Sequence, residues 1–147
     1  MSKSALRLGS MVGLASGLTA LSACTRLESP GTIERGQYLV ENIAQCGDCH
    51  SIRKPNGEFD RTRWLQGAPL PFGPLVEMPW AEYAPGLAGL PTRTELEVFQ
   101  LLTSGKLPNG QPLRPPMPLY QLSEPDARAV IAYLQTLPSG IQPPPQN

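Results

Sequence analysis

The sequence predicts a mainly α-helical domain of three or more short helices joined by long proline-rich loops, and three observations carry that reading. Apolar residues recur at helical spacing in three separate stretches. Alternating β-branched runs, the mark of half-buried strands, are absent. The 18 prolines, about twice the usual share, cluster in 69–91, 108–118 and 138–145, where they favour extended loops over helix interiors. A length of 147 residues bounds the chain to one domain of ordinary size. Twelve basic against twelve acidic residues argues against a nucleic-acid binder, which needs a basic excess.

The N-terminus precedes the folded body. Lys3 and Arg7 lead the uncharged run "LGSMVGLASGLTALSA", with the layout of an export signal and too little apolar length for a spanning helix. The run ends in "LSAC", Leu21–Cys24, which resembles a bacterial lipobox. That resemblance implies removal of residues 1–23 and acylation of the Cys24 thiol, anchoring the chain at a membrane surface. A plain signal peptide with an incidental cysteine is the plainer alternative. Residues 24–31 are then the lipidated cysteine and a short polar tether, 32–138 the domain, and 139–147 a flexible Pro- and Gln-rich tail.

The first helix is expected over Thr32–Gln45, with Gly36, Leu39, Val40 and Ile43 on one face. Gly36 weakens that helix and compensates by letting another backbone approach closely. The second is expected over Thr94–Ser104. Thr92 or Thr94 is its cap, Glu95 or Glu97 the capping-box partner, and Gly105 the left-handed exit. The third runs over Glu124–Thr136, with Ser123 as N-cap, Pro125 in the first turn, and Ala127, Val130, Ile131 and Leu134 on one face. Pro138 stops it. Long loops fill 52–91 and 106–122, leaving a thin core that needs another filler.

The stretch Cys46-Gly-Asp-Cys49-His50 supplies one. Cys-x-x-Cys-His is the spacing of covalent c-type haem attachment. Two thiols on one tight turn reach the two vinyl groups on a porphyrin edge, and the next residue aims its imidazole at the iron. Gly47 and Asp48 are small enough to let the turn lie close to the ring. Zinc would want four ligands, usually from two such pairs, and the chain has no other histidine. A thioredoxin-like pair would want a βαβ pattern. A structural disulfide is open to an exported chain but leaves His50 without a role.

A haem held for electron transfer is usually six-coordinate, and a thioether opposite histidine raises its potential. Met1 and Met11 leave with the signal, so Met78 in "VEMPW" and Met117 in "LRPPMPLYQLS" remain. Met117 is preferred, because its polyproline-like loop is stiff and lies just ahead of the third helix; Met78 is the fallback, and either can be plain core filler. A backbone carbonyl in 67–74 is expected to hold the second nitrogen of His50. Trp64, Trp80, Tyr83 and Arg114 are candidates for the haem propionates, with ordinary packing the alternative for the tryptophans. Arg93 and Glu95–Glu97 read as a solvated helix face.

"RGQYLVENIAQCGDCHS", "WLQGAP" and "LLTSGKLPNGQPLRPPMPLYQLSEPDARAVIAYLQTLP" together resemble a single-haem class I cytochrome c domain over roughly 33–138. More narrowly, they are similar to the cytochrome c domains serving bacterial periplasmic alcohol, aldehyde and sugar-acid dehydrogenases. The resemblance implies one haem c bound through Cys46 and Cys49, His50 as proximal and Met117 as distal iron ligand. It implies a crossing of the first and last helices at Gly36 and the Ala132–Tyr133 region. Dehydrogenase subunits of this kind often carry several haem motifs; this chain has one.

The expected function is electron carriage without catalysis, by a cytochrome lipid-anchored in the bacterial periplasm. Its partners would be a dehydrogenase or quinol-oxidising donor and a terminal oxidase or soluble carrier. Two alternatives stand beside it: a cytochrome subunit working only inside a dehydrogenase complex, and an open-iron haem enzyme or sensor.

Overall fold

A computed structural model describes residues 30–140. The expected signal segment, Cys24, the start of the tether and the end of the tail lie outside the described residues. The chain order is α1 (Pro30–Tyr38) running into a single π-helical stretch (Leu39–Ile43), α2 (Gly47–His50), a 3-10 turn (Arg61–Arg63), β1 (Ala68–Pro69), β2 (Tyr83–Ala84), α3 (Glu95–Ser104) and α4 (Glu124–Thr136). Among the described residues no helix is long and apolar enough to cross a membrane.

Helices α1 and α4 cross at Gly36. A Cβ there would run into the Ala129 carbonyl and come within 2.8 Å of the Tyr133 Cβ. The glycine thus meets α4 one turn earlier than Ala132–Tyr133 alone would place it. Arg35 clasps Asp126 at 2.9 Å beside the crossing, but that pair is exposed and adds little to the packing. Because the obstacle to a methyl group is backbone, Gly36→Ala must push the helices apart. It is expected to cost about 3 kcal/mol or more, read as a lowered midpoint in chemical denaturation; an unchanged midpoint would mean the crossing is loose.

The expected α1 stripe fails at its last member. Leu39 and Val40 are buried, whereas Ile43 is 58% exposed. The cause is the π-helical stretch, where Ala44 N–H bonds Leu39 O at 2.8 Å and Cys46 N–H bonds Val40 O at 3.0 Å. The wider turn rotates the next residues off the 3.6-residue period. Gln45 then takes a left-handed φ of 50° and starts the chain into α2.

Helix α3 carries the capping box: Thr94 Oγ1 accepts from Glu97 N–H, and Thr94 N–H donates to the Glu97 carboxylate at 2.8 Å. Gly105 exits left-handed at φ 71°. Helix α4 spans the predicted residues under its Ser123 cap. Its buried set is wider than one stripe, adding Ala129, Ala132 and Tyr133 to the expected face. Such a helix packs on several sides; here α1 and α3 flank it, and Val130 and Leu134 face a cavity.

The long middle loop is organised by Leu65, which is fully buried with a left-handed φ of 55°. Its N–H is held by Ser51 Oγ at 2.9 Å, and its carbonyl accepts from Leu87 and Ala88. Those fixed partners hold a conformation that costs about 1–3 kcal/mol for a non-glycine residue. Three residues further on, β1 pairs antiparallel with β2, Ala68 opposite Ala84 and Pro69 opposite Tyr83. Leu39, Val40, Leu65, Ala88, Val130, Tyr133 and Leu134 form the buried core beside the cavity. At the C-terminal end, Gly140 packs on the Gln66 side chain.

Candidate functional site

Helix α2 is one turn long and presents three chemical groups in sequence. Cys46 caps it, Cys49 lies within it, and His50 ends it. Cys46 and Cys49 are free thiols. Burial pushes Cys46 up to about 11 and raises Cys49 as well, so both are protonated at neutral pH. That is opposite to the lowered pKa of a reactive thiolate pair.

His50 is buried, and burial lowers its pKa against the opposing effect of its hydrogen bond. Its Nδ1 lies 2.6 Å from the Pro85 carbonyl. A carbonyl can only accept, so Nδ1 carries the proton. The neutral ring then keeps its lone pair on Nε2. A neutral imidazole oriented through its other nitrogen is the usual state of a metal-binding histidine.

Pro85 corrects the expectation that an acceptor in 67–74 would hold this ring. Gly67 does touch His50, but through the backbone: its N–H donates to the His50 carbonyl at 2.9 Å. The pairing of β1 with β2 brings 83–85 back beside 67–69, which places the Pro85 carbonyl at the imidazole.

Gly47 is a second correction. Its smallness serves Trp64, whose indole ring occupies the place a Cβ would take. Trp64 stands behind the motif, away from the cavity wall. Its Nε1 donates to Tyr133 Oη at 3.3 Å, and Tyr133 donates to Glu41 at 2.6 Å. Burial, helped by the Glu41 bond, pushes the Tyr133 phenol up to about 12, so it stays a donor. Arg61 lies over the same indole at 4.0 Å. The indole is thus clamped, and the turn carrying the thiols rests against a rigid plate.

In front of the motif opens a cavity of about 600 Å³. Cys46, Cys49 and His50 form part of its wall, and Leu87, Leu90, Val98, Leu102, Val130 and Leu134 supply apolar surface. Met117 is on the wall too, between Pro116 and Pro118. Its loop is fastened at two points. Tyr120 Oη donates to the Ala44 carbonyl at 3.1 Å, and the Pro115 carbonyl accepts from Ala81 N–H at 2.8 Å. Met78 is not on this wall; it is 42% exposed on an outer loop with Trp80. Of the four residues considered for the propionates, Tyr83 and Arg114 line the cavity, while Trp64 and Trp80 do not.

Arg93 also lines the cavity, in place of the solvated helix face expected for it. The signal was there: Arg93 precedes the Thr94 cap, so it lies outside the helix and no helical face dictates its direction. Arg93 and Arg114 are the guanidinium groups of this mainly apolar wall, which also includes Asp48, Gln45 and Thr92. The set includes two thiols, one lone-pair nitrogen, one thioether, an apolar slot, two cations and one carboxylate, Asp48. It suits a flat apolar group that carries acid substituents and a metal taking soft nitrogen and sulfur ligands.

Two curated relatives share this region. The chain is 33% identical over 115 residues to a protein of Cereibacter sphaeroides named diheme cytochrome c-type, covering 72% of this chain and 36% of that one. It is 28% identical over 110 residues to the fructose dehydrogenase cytochrome subunit of Gluconobacter japonicus, covering 71% of this chain and 22% of the other. The chain therefore spans about a third and about a fifth of the lengths of these relatives. No protein-family model matches it. Both relatives are cytochromes by name, and the four α-helices and very little strand among the described residues are compatible with a helical cytochrome fold.

Proposed function

We propose that this chain is a c-type cytochrome that carries single electrons and performs no catalysis of its own. One haem would be attached through Cys46 and Cys49, with His50 and Met117 as the iron's ligands. The observation that carries this reading is the shared wall: both thiols, an imidazole held through its Nδ1, and a proline-flanked thioether line one mainly apolar cavity of about 600 Å³. Cytochrome relatives over more than two thirds of the chain support it. The chain's single histidine supports one haem here, although the Cereibacter relative is named as diheme.

Haem, when bound, supplies a reversible one-electron iron couple. The protein's residues do the rest. Pro85 holds the His50 ring by Nδ1 and so leaves the lone pair on Nε2. Trp64 braces the thiol turn through Gly47. Arg93 and Arg114 are placed on the wall to meet carboxylates. The leucines and valines exclude water, which strengthens charge interactions within the site.

The wider reading is that lipid on Cys24 holds the protein to a membrane in the bacterial periplasm. There it would accept electrons from a dehydrogenase or quinol-oxidising complex and pass them to a terminal oxidase or soluble carrier. The "LSAC" boundary supports the anchor, and the Gluconobacter relative's name supports a dehydrogenase as donor. That name also favours a second reading, in which the chain works as the cytochrome subunit of a dehydrogenase complex. The first test is the processed protein itself. A c-type absorbance spectrum with a mass increase of one haem is expected; colourless, unmodified protein would refute the proposal. Copurification of a large catalytic chain from membranes would select the second reading over a free shuttle.

A further inference from the structure

Apart from Ala81, loop 71–81 lies off the cavity wall. Its ends are joined where Leu70 N–H bonds the Glu82 carbonyl at 2.9 Å, and the Ala81–Pro115 bond fastens it to the Met117 loop. Its apolar side chains face outward: Leu75 is fully exposed, Val76 71%, Phe72 51% and Met78 42%. A lone surface leucine is ordinary, but four such residues on one closed loop form a patch that marks an interaction site. Phe72 and Trp80 meet edge to face at 6.1 Å beneath it. The Trp80 Nε1 is buried there with no hydrogen-bond acceptor.

Position and charge narrow the occupant. Leu70 belongs both to the depression under this loop and to the cavity wall, so anything seated on the loop sits beside the cavity. From 65 to 92 the only charged residues are Glu77 and Glu82, both of this patch, with no Lys, Arg or His. Two carboxylates without a cation disfavour an anionic lipid surface and suit a basic rim.

Resting on the electron-carrier reading, we propose that loop 71–81 is the docking face for an electron-transfer protein whose own contact surface is apolar and rimmed by lysine or arginine. The apolar residues supply the buried centre of the contact and the two glutamates its steering rim. Contact at this loop brings the partner's redox centre up to the cavity edge.

The test uses haem-loaded full-length protein, with mitochondrial cytochrome c as the basic probe and hexaammineruthenium as a small reductant that needs no docking face. Leu75→Ser/Val76→Ser is expected to lower the bimolecular rate with the protein probe about tenfold and to leave the hexaammineruthenium rate unchanged. Glu77→Gln/Glu82→Gln is expected to slow the protein reaction at low salt and flatten its salt dependence. These side chains are at the surface, so an unaltered absorbance spectrum suffices to show that the variants are folded. Unchanged rates with the protein probe would overturn the proposal. So would a Cys24→Ala chain that floats with phosphatidylcholine/phosphatidylglycerol vesicles only when Leu75 and Val76 are intact, if electron exchange is unaffected; the patch would then belong to lipid. Failure of hexaammineruthenium to reduce the parent protein would instead refute the electron-carrier reading itself.

Discussion

With alanine at both Cys46 and Cys49, the chain is expected to accumulate at least about tenfold less than wild type and to lose its protease-resistant core. The reason is volume. An empty cavity of about 600 Å³, at roughly 24 cal/mol per Å³, would cost on the order of 14 kcal/mol. Part of that falls away because water can enter an open cavity. Even a third of it equals the whole stability of a marginal domain, about 5 kcal/mol. The rest of the core cannot absorb the loss. Of the 14 buried apolar residues among those described, six are alanines, which bring little surface to bury. The cavity-facing leucines and valines would close inward or unfold rather than line a void. The measurement is an immunoblot with limited proteolysis, alongside Cys24→Ala, which is expected to keep its colour and its resistant core. Abundant, protease-resistant double variant without haem absorbance would mean the cavity is stable empty, and the filler argument would be wrong.

Legibility in the sequence tracks the range of the interactions. Helix α4 and the α3 capping box are local, set by a cap and a period within a dozen residues, and both occur where the pattern puts them. Gly36 was readable because only a close approach explains a glycine on an apolar helical face. The π-helical stretch was not, since an inserted residue looks like ordinary periodicity until Ile43 turns up exposed. Pro85 at His50 depends on a two-residue strand pair between segments 15 apart, too short to leave an alternating pattern. Trp64 against Gly47 joins a loop to a helix across 17 residues, and no period links them. The thiols and imidazole were legible as a motif; the way they are braced was not.

Met117→Ala is expected to leave a folded, coloured protein with a lower reduction potential and without the near-infrared band of a sulfur–iron bond. The fold survives because the thioethers and His50 would still hold the cofactor, and losing one methionine side chain costs about 2–5 kcal/mol. The potential does not survive. A thioether is a soft ligand that favours the ferrous state, and each tenfold of that preference is worth about 59 mV in a one-electron couple. A fall on the order of 100 mV corresponds to a preference of somewhat under two decades. Met78→Leu is the matched control, since Met78 also precedes a proline but lies on the outer loop, 42% exposed. Its spectrum and potential are expected to stay as in wild type. Of the two described methionines, Met117 alone combines a place on the cavity wall with a loop pinned by Tyr120 to Ala44 and by Pro115 to Ala81. That pinning spares a flexible side chain much of the entropy of being held at a metal. Should the band persist in Met117→Ala and vanish in Met78→Leu, the ligand would have to come from the outer loop. Loop 71–81 would then have to fold inward, and the working protein would have a different cavity wall.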